Sequence, residues 1–435
     1  MDRRQALAQG ASLPEYSQGA ALFADISGFT PLTEGLVREL GPQRGAEELT
    51  RHLNQVYDAL INELHLYGGS VIGFSGDAIT CWFDEDAFAS APARPGLGGG
   101  VQAGLQATAC ALAMQGAMKR FAAVDIPSGG TVSLAMKAAV AAGAVRRFMV
   151  GAPQVQVMDV LVGATLDRLA KAEGLAKQGE VVLDPAAVVS LDDEVHIVER
   201  RDDDELGGPF GVVGGTASQV TPSPWPLIPA DALSEEQVRP WLLPPVYERL
   251  RAGQGEFLAE LRPAVALFLR FSGIDYDADE KAGAKLDDYM RQVQLIVASY
   301  EGTLLQLTVG DKGSYLYAAF GAPLAHEDDA VRALSTALEL RALSAALEFV
   351  DDVQIGISQG RMRAGAYGGT RRRTYGVLGD EVNLAARLMT AAAPGQILVG
   401  QATREASAEA FTWRSLPDLK VKGKAAPVVV FGLIG

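Results

Sequence analysis

Two aspartates and one amide–guanidinium pair stand where chemistry on a phosphorylated molecule could be done. Asp25 closes the segment ALFAD, which reads as a buried strand, and the turn Ser27-Gly28-Phe29 follows it. Thr30 and Pro31 suit the N-cap and first turn of a helix. Backbone N–H groups in such a turn can converge on one anion, and a carboxylate beside them can hold a hard cation. An Asp at a strand–helix junction also serves simply as a cap or turn residue. Asp77 is a second carboxylate, on the turn Ser75-Gly76-Asp77 of a hairpin read from VIGFSGDAITCWF. Much later, Asn383 and Arg387 are four residues apart in DEVNLAARLM, and so share one face of a helix. Alone, that pair reads equally as a polar helix surface.

The elements that must position these groups follow from periodicity. Leu49, Leu53, Val56, Leu60 and Leu64 recur at spacings of three and four and predict a helix over 31–66, ended by Gly68 and Gly69. APARPGLGGG (91–100) reads as a loop and is followed by an Ala-rich helix to about Phe121. TVSLAMKAAVAAG, with Lys137 inside it, and VMDVLVG read as strands, TLDRLAKAEGLA as a helix, and VVLDP and VHIVERR as closing strands. Residues 216–262 are Pro-rich but carry Trp225, Trp241, Leu242 and Leu243, too apolar for a free tether, and read as a packed connector.

The second half repeats the first. LFLRFSGI (267–274) has the layout of LFADISGF (22–29), EGTLLQLTVGDKGSYLYAAFG that of the Asp77 hairpin, and YGVLGDEVNLAARLM that of VMDVLVGATLDRLAKAE. The domains expected are 1–215, a connector 216–262, and 263–435, each an α+β layer of antiparallel or mixed sheet with helices. The copies differ where chemistry would live. Asp25 faces Arg270, Asp77 faces Asp311, and Asn383 and Arg387 face Asp167 and Lys171. One copy holds a carboxylate pair and the other an amide–guanidinium pair, so head-to-tail packing would build one complete site and one decayed one.

Composition narrows the classes. The 435 residues carry 38 Lys+Arg against 53 Asp+Glu, a net charge of −15, which argues against a general nucleic-acid or anionic-membrane binder. Cys81 and Cys110 give no disulfide framework or metal-ligand spacing, and a reducing cytoplasmic setting fits. His52, His65, His196 and His326 are scattered. The start, MDRRQALAQG, has no apolar run behind its charges, so no secretory leader is expected, and no stretch suggests a membrane span.

FADISGFT with FSGDA, and later GDEVNLAARLM, resemble the class III nucleotidyl cyclase catalytic domains. The tandem arrangement is most similar to the bicarbonate-responsive soluble adenylyl cyclases and covers nearly the whole chain, through the closing VKGKAAPVVVFG. The resemblance implies two ferredoxin-like domains packed head-to-tail as a pseudo-symmetric pair, in a monomer or as the cyclase module of a larger signalling protein. It implies an adenylyl cyclase making 3′,5′-cyclic AMP and pyrophosphate from ATP, with two divalent cations, Mg²⁺ or Mn²⁺. The alternatives are a cyclase of other or mixed base preference, such as GTP, and a non-catalytic nucleotide-sensing module. By residue, Asp25, Asp77 and the Ile26 carbonyl match the metal ligands; Ser27, Gly28, Phe29, Thr30 and Lys137 match the phosphate-binding groups. Asn383 matches the residue that positions the ribose, and Arg387 the one that stabilises the transition state.

Departures from the family pattern fall in the base pocket. Gln306 stands where a lysine reads adenine, and Gly376, followed by Val377, stands where its Asp or Thr partner is usual. Gln306 can donate and accept, so a purine can still be read. Gly73 replaces a lysine of the regulatory site, and Arg168 lies two positions from the bicarbonate-binding arginine, which leaves bicarbonate activation without its side chains.

Overall fold

The computed structural model describes residues 1–88, 101–126, 129–202, 208–229, 231–255, 257, 259–310, 313–407, 410–421 and 427–435, with the side chain of Pro42 left aside. The loop 91–100, Asp311, and 422–426 of the closing segment lie outside the described residues. Two compact units account for the chain: Met1–Phe148, Asp159–Val238 and Tyr367–Thr374 form the first, and Met149–Met158, Arg239–Ala366 and Tyr375–Gly435 the second.

In the first unit the strand Tyr16–Ser27 is buried from Gly19 to Leu22 because it lies between two others. It pairs antiparallel with Ala78–Asp84 on one side and Ala135–Val150 on the other. The helix Phe29–Leu66, the hairpin Ser70–Ser75/Ala78–Asp84 and the helix Val101–Met118 come between these central strands in sequence. The result is a βαββαβ core, the ferredoxin-like arrangement. Val181–Leu183, Phe210–Thr216 and Val195–Arg201 extend the sheet, the first of them parallel to Ala135–Val150. Leu53, Val56, Leu60 and Leu64 of the long helix are buried, as their spacing requires. Gly41, at φ 79°, breaks that helix inside GPQRG. Cys81, on a central strand, and Cys110, on the second helix, are both wholly buried. Arg147, also buried, binds Asp2 through Nη1 (2.6 Å) and Asp159 through Nε (2.8 Å), and Arg3 Nη2 reaches Asp159 at 2.8 Å. Burial alone would raise the Asp2 carboxyl, but Arg147 outweighs it and holds the carboxyl at about 2.

The second unit has the same strand order. Thr303–Thr308, Ser314–Phe320, Glu260–Phe271, Gln354–Gly368, Ile397–Gly400, Val430–Leu433 and Trp413–Ser415 lie side by side, with Arg373–Leu378 on Gln354–Gly368. The helices Ala282–Ser299 and Asp329–Ala346 complete its βαββαβ core. The Pro-rich stretch packs within both units. Trp225 donates from Nε1 to the Gly69 carbonyl (2.8 Å) in the first, and Leu243 joins a core with Ala266, Phe268 and Tyr317 in the second. Among the described residues no helix is long and apolar enough to cross a membrane.

The helix Asp380–Ala391 lies flat on its sheet because residue 356 has no side chain. A Cβ there would sit 2.2 Å from both the Ala385 carbonyl oxygen and the Met389 nitrogen. Gly356→Ala is expected to cost about 1–3 kcal/mol, the range for forced overpacking. It should also shift the helix that carries Asn383 and Arg387. A thermal melt and a turnover assay check this together; an unchanged melting temperature would show that the helix is not seated there.

Candidate functional site

In the first unit the two aspartates are fixed by backbone. Asp25 lies in strand register with Lys137 on one side and Ala78 on the other, two residues before the strand ends. Ser75 and Ala78 pair across the hairpin, leaving Gly76 (φ 65°) and Asp77 as its two-residue turn. The Ile26 N–H donates to the Asp77 carbonyl at 3.2 Å, and the Tyr57 hydroxyl donates to the Gly76 carbonyl at 3.0 Å. These bonds tie the turn, and Asp77 with it, to the end of the strand that carries Asp25. Burial of the turn against protein, then the Asp25 charge, raises the Asp77 carboxyl to about 6, although the residue's own surface is open to solvent. Burial likewise raises Asp25; Lys137 opposes the shift and Glu173 adds to it. Two carboxylates both raised, one of them partly by the charge of the other, concentrate negative charge that a divalent cation relieves, and an all-oxygen donor set suits such a cation. Among the described residues no group of three or more His, Cys, Asp or Glu could hold a metal, and none of the four His enters this site.

The turn after Asp25 differs from expectation at one point. The helix begins at Phe29 and its N-cap is Gly28, without a side-chain cap, so Thr30 is not the cap; it lies exposed in the first turn. Gly28 takes this place because its φ is 102° and a Cβ would meet the Ser133 carbonyl oxygen at 2.4 Å. Ser27 Oγ donates to the Ala135 carbonyl (3.3 Å) and accepts from Gln178 Nε2 (2.9 Å). Phe29 is buried and anchors the helix start.

Lys137 is brought to Asp25 by the strand register, with its ammonium 3.7 Å from Asp25 Oδ2. A residue that sequence reasoning missed holds it. Glu173, near the end of the helix Ala164–Leu175, forms an ion pair with Lys137 through its carboxylate, and its backbone carbonyl lies 3.4 Å from Nζ. The signal was available: the second unit's helix has Met389 at the step of Glu173, a charged-for-apolar exchange beside the Lys171/Arg387 step.

In the second unit, Val382, Ala385, Leu388 and Met389 seat the helix Asp380–Ala391, and Asn383 and Arg387 fall on its other face. Asn383 is exposed and Arg387 half-buried. Neither side chain has a hydrogen bond or ion pair among the described residues. Gln306 and Tyr317 are cross-strand neighbours, and the Tyr317 hydroxyl donates to the Val377 carbonyl at 3.1 Å. Gln306 itself donates from Nε2 to Thr308 Oγ1 at 2.6 Å. Arg270 pairs in register with Gln354, so the counterparts of Asp25 and Lys137 are a guanidinium and an amide. Back in the first unit, Arg168 donates to Asp184 Oδ2 (2.6 Å) and to the Ala142 carbonyl (2.9 Å), and so serves the fold. A Cβ on Gly73 would meet nothing within 4 Å.

Residues 284–434 match the family described as the adenylate and guanylate cyclase catalytic domain. Along most of its length the chain is similar to adenylate cyclase type 10. It is 23% identical to the Rattus norvegicus protein over 449 residues, covering 96% of this chain and 26% of that one. It is 24% identical to the Homo sapiens protein over 435 residues, covering 94% and 26%. The chain thus spans roughly a quarter of the length of these curated relatives. A crystal structure of a class III adenylyl cyclase-like ATP-binding protein from Pseudomonas aeruginosa shares the fold, with a TM-score of 0.56 over 90% of this chain and 85% of that one at 15% identity.

Proposed function

We propose, on the premise that this chain is a member of the class III nucleotidyl cyclases, that it converts ATP to 3′,5′-cyclic AMP and pyrophosphate. The observation that carries the reading is the complementary split: a carboxylate pair in the first unit, and in the second an Asn–Arg pair with no partner among the described residues. The first unit's helix has Asp167 and Lys171 at those steps, and both have partners. Each unit thus carries the set of groups that the other lacks.

Asp25, Asp77 and the Ile26 carbonyl would hold two divalent cations, Mg²⁺ or Mn²⁺, which supply acidification of the ribose 3′-hydroxyl and neutralisation of the leaving pyrophosphate. The protein's own groups do the rest. The backbone from Ser27 to Thr30 and the Lys137 ammonium bind the β- and γ-phosphates. The Asn383 amide orients the ribose so that its 3′-hydroxyl faces the α-phosphorus. The Arg387 guanidinium donates to the equatorial oxygens as charge builds there, worth on the order of 2.7–4 kcal/mol for a donor of this kind. Purified protein supplied with Mn²⁺ and each of ATP, GTP, CTP and UTP tests the reading by cyclic product and pyrophosphate. Nucleotide binding without product from any of the four would leave a sensing module instead.

Base choice should be looser than in a cyclase that reads adenine with lysine. Gln306 can turn its amide to donate or accept, and Gly376 brings no side chain. A site that strands the wrong base's polar groups discriminates by ~10⁴-fold or more, while one that re-pairs them does not. ATP is expected to be preferred with measurable GTP turnover, and Gln306→Lys with Gly376→Thr should sharpen the preference. The quantity to compare is kcat/KM for both nucleotides in both proteins. An extreme wild-type ratio, unmoved by the double substitution, would show that other residues read the base.

A further inference from the structure

We infer that Glu173 is a positioning residue that holds the Lys137 ammonium off Asp25, so that the proposed cation site does not neutralise itself. The inference rests on the reading of Asp25 and Asp77 as cation ligands. Lys137 and Asp25 are cross-strand partners in register, so the sheet delivers the ammonium to the carboxylate whether or not that helps metal binding. The pair is already a loose ion pair at 3.7 Å, and left alone it would close to direct hydrogen-bonding distance. The ammonium would then stand where a divalent cation must, as an internal competitor.

The geometry shows the ammonium drawn the other way. It makes its close ion pair with the Glu173 carboxylate and lies 3.7 Å from Asp25 Oδ2. The Glu173 carbonyl, in the last turn of its helix, adds a contact at 3.4 Å. That carbonyl belongs to the negative end of the helix dipole, which also favours a cation. The helix cannot easily follow the lysine, because Leu166, Leu169 and Ala172 pack it into the sheet core. All three side chains are part-exposed, at 25%, 23% and 29% for Lys137, Glu173 and Asp25, so an arriving polyphosphate can take the ammonium from Glu173. Glu173 acts through Lys137, and that dependence separates this role from direct ligation.

The test is Mn²⁺ binding to the nucleotide-free full chain, read by loss of the free-ion electron paramagnetic resonance signal, with thermal melts confirming that each variant folds. Glu173→Gln is expected to weaken Mn²⁺ binding on the order of tenfold, as the released ammonium pairs with Asp25. Lys137→Gln should bind Mn²⁺ at least as well as wild type. The double variant should bind like Lys137→Gln alone, because no competitor is left to restrain. Wild-type affinity in Glu173→Gln overturns the inference. So does a loss that persists in the double variant, which would make Glu173 a ligand or a structural support. Since the readout needs no turnover, Mn²⁺ binding as described without cyclic product would leave this inference standing and remove only the cyclase reading.

Discussion

Replacing Asp25 or Asp77 by alanine should abolish cyclic product, because in the proposed mechanism one carboxylate cannot hold both cations. Asp25 lies on its strand opposite Ala78, and Asp77 precedes Ala78 in the hairpin turn, so each is held by its own backbone. Near-normal turnover in either variant would end the two-cation reading. A second measurement tests the same pair without catalysis. The Asp77 carboxyl is raised from an ordinary 3.8 to about 6. Between those values the folded chain keeps a proton that the unfolded chain has lost. Stability from this group is therefore present at low pH and declines as pH rises through that window. In chelator at pH 7, Asp77→Asn is expected to melt higher than wild type, and the gain should vanish below about pH 3.5, where both states are protonated. Mn²⁺ should raise the melting temperature of the wild type but not of Asp77→Asn. No gain at pH 7 would mean that the turn carries its charge without strain.

Arg387→Ala should lower kcat on the order of 10²-fold or more with a smaller change in KM, since in the proposed mechanism the guanidinium meets charge that exists only as the α-phosphorus is attacked. Arg387→Lys should rescue little, because an ammonium cannot reproduce the planar fork of donors. Lys171→Ala removes the residue at the matching step of the first unit's helix and should leave chemistry largely intact. The comparison is informative because the two helices are of equal length and each follows a glycine of positive φ, Gly163 at 115° and Gly379 at 153°. Any general cost of emptying that step is thereby controlled. Equal losses from Arg387→Ala and Lys171→Ala would show that both steps serve the fold.

The fold was legible where the chain repeats itself. A strand, a small-residue turn and a long leucine-spaced helix recur with the same hairpin and the same later strand–glycine–helix, and the two sheets share one strand order as a result. Asp77 was placed on its hairpin turn because Gly76 supplies the positive φ such a turn needs. What escaped were features set by tertiary approach. Thr30 looked like a cap by residue type, but the close pass of the Ser133 carbonyl forces glycine into that role two residues earlier. Glu173 is 36 residues from Lys137 and meets it only through the helix packed over the sheet. In the Asp2–Arg147–Asp159 cluster Arg147 meets Asp2 across 145 residues of chain, and nothing local marks Arg147 as buried.

The two wholly buried cysteines have a practical consequence. A thiol reacts as its thiolate, and burial pushes both Cys81 and Cys110 far toward the protonated form. The native chain is therefore silent background for maleimide chemistry. A single cysteine at exposed Thr30, beside the turn at the head of the long helix, would be the one position that takes a label. A fluorophore there could follow the arrival of a polyphosphate in real time, in a protein whose own thiols need not be removed first.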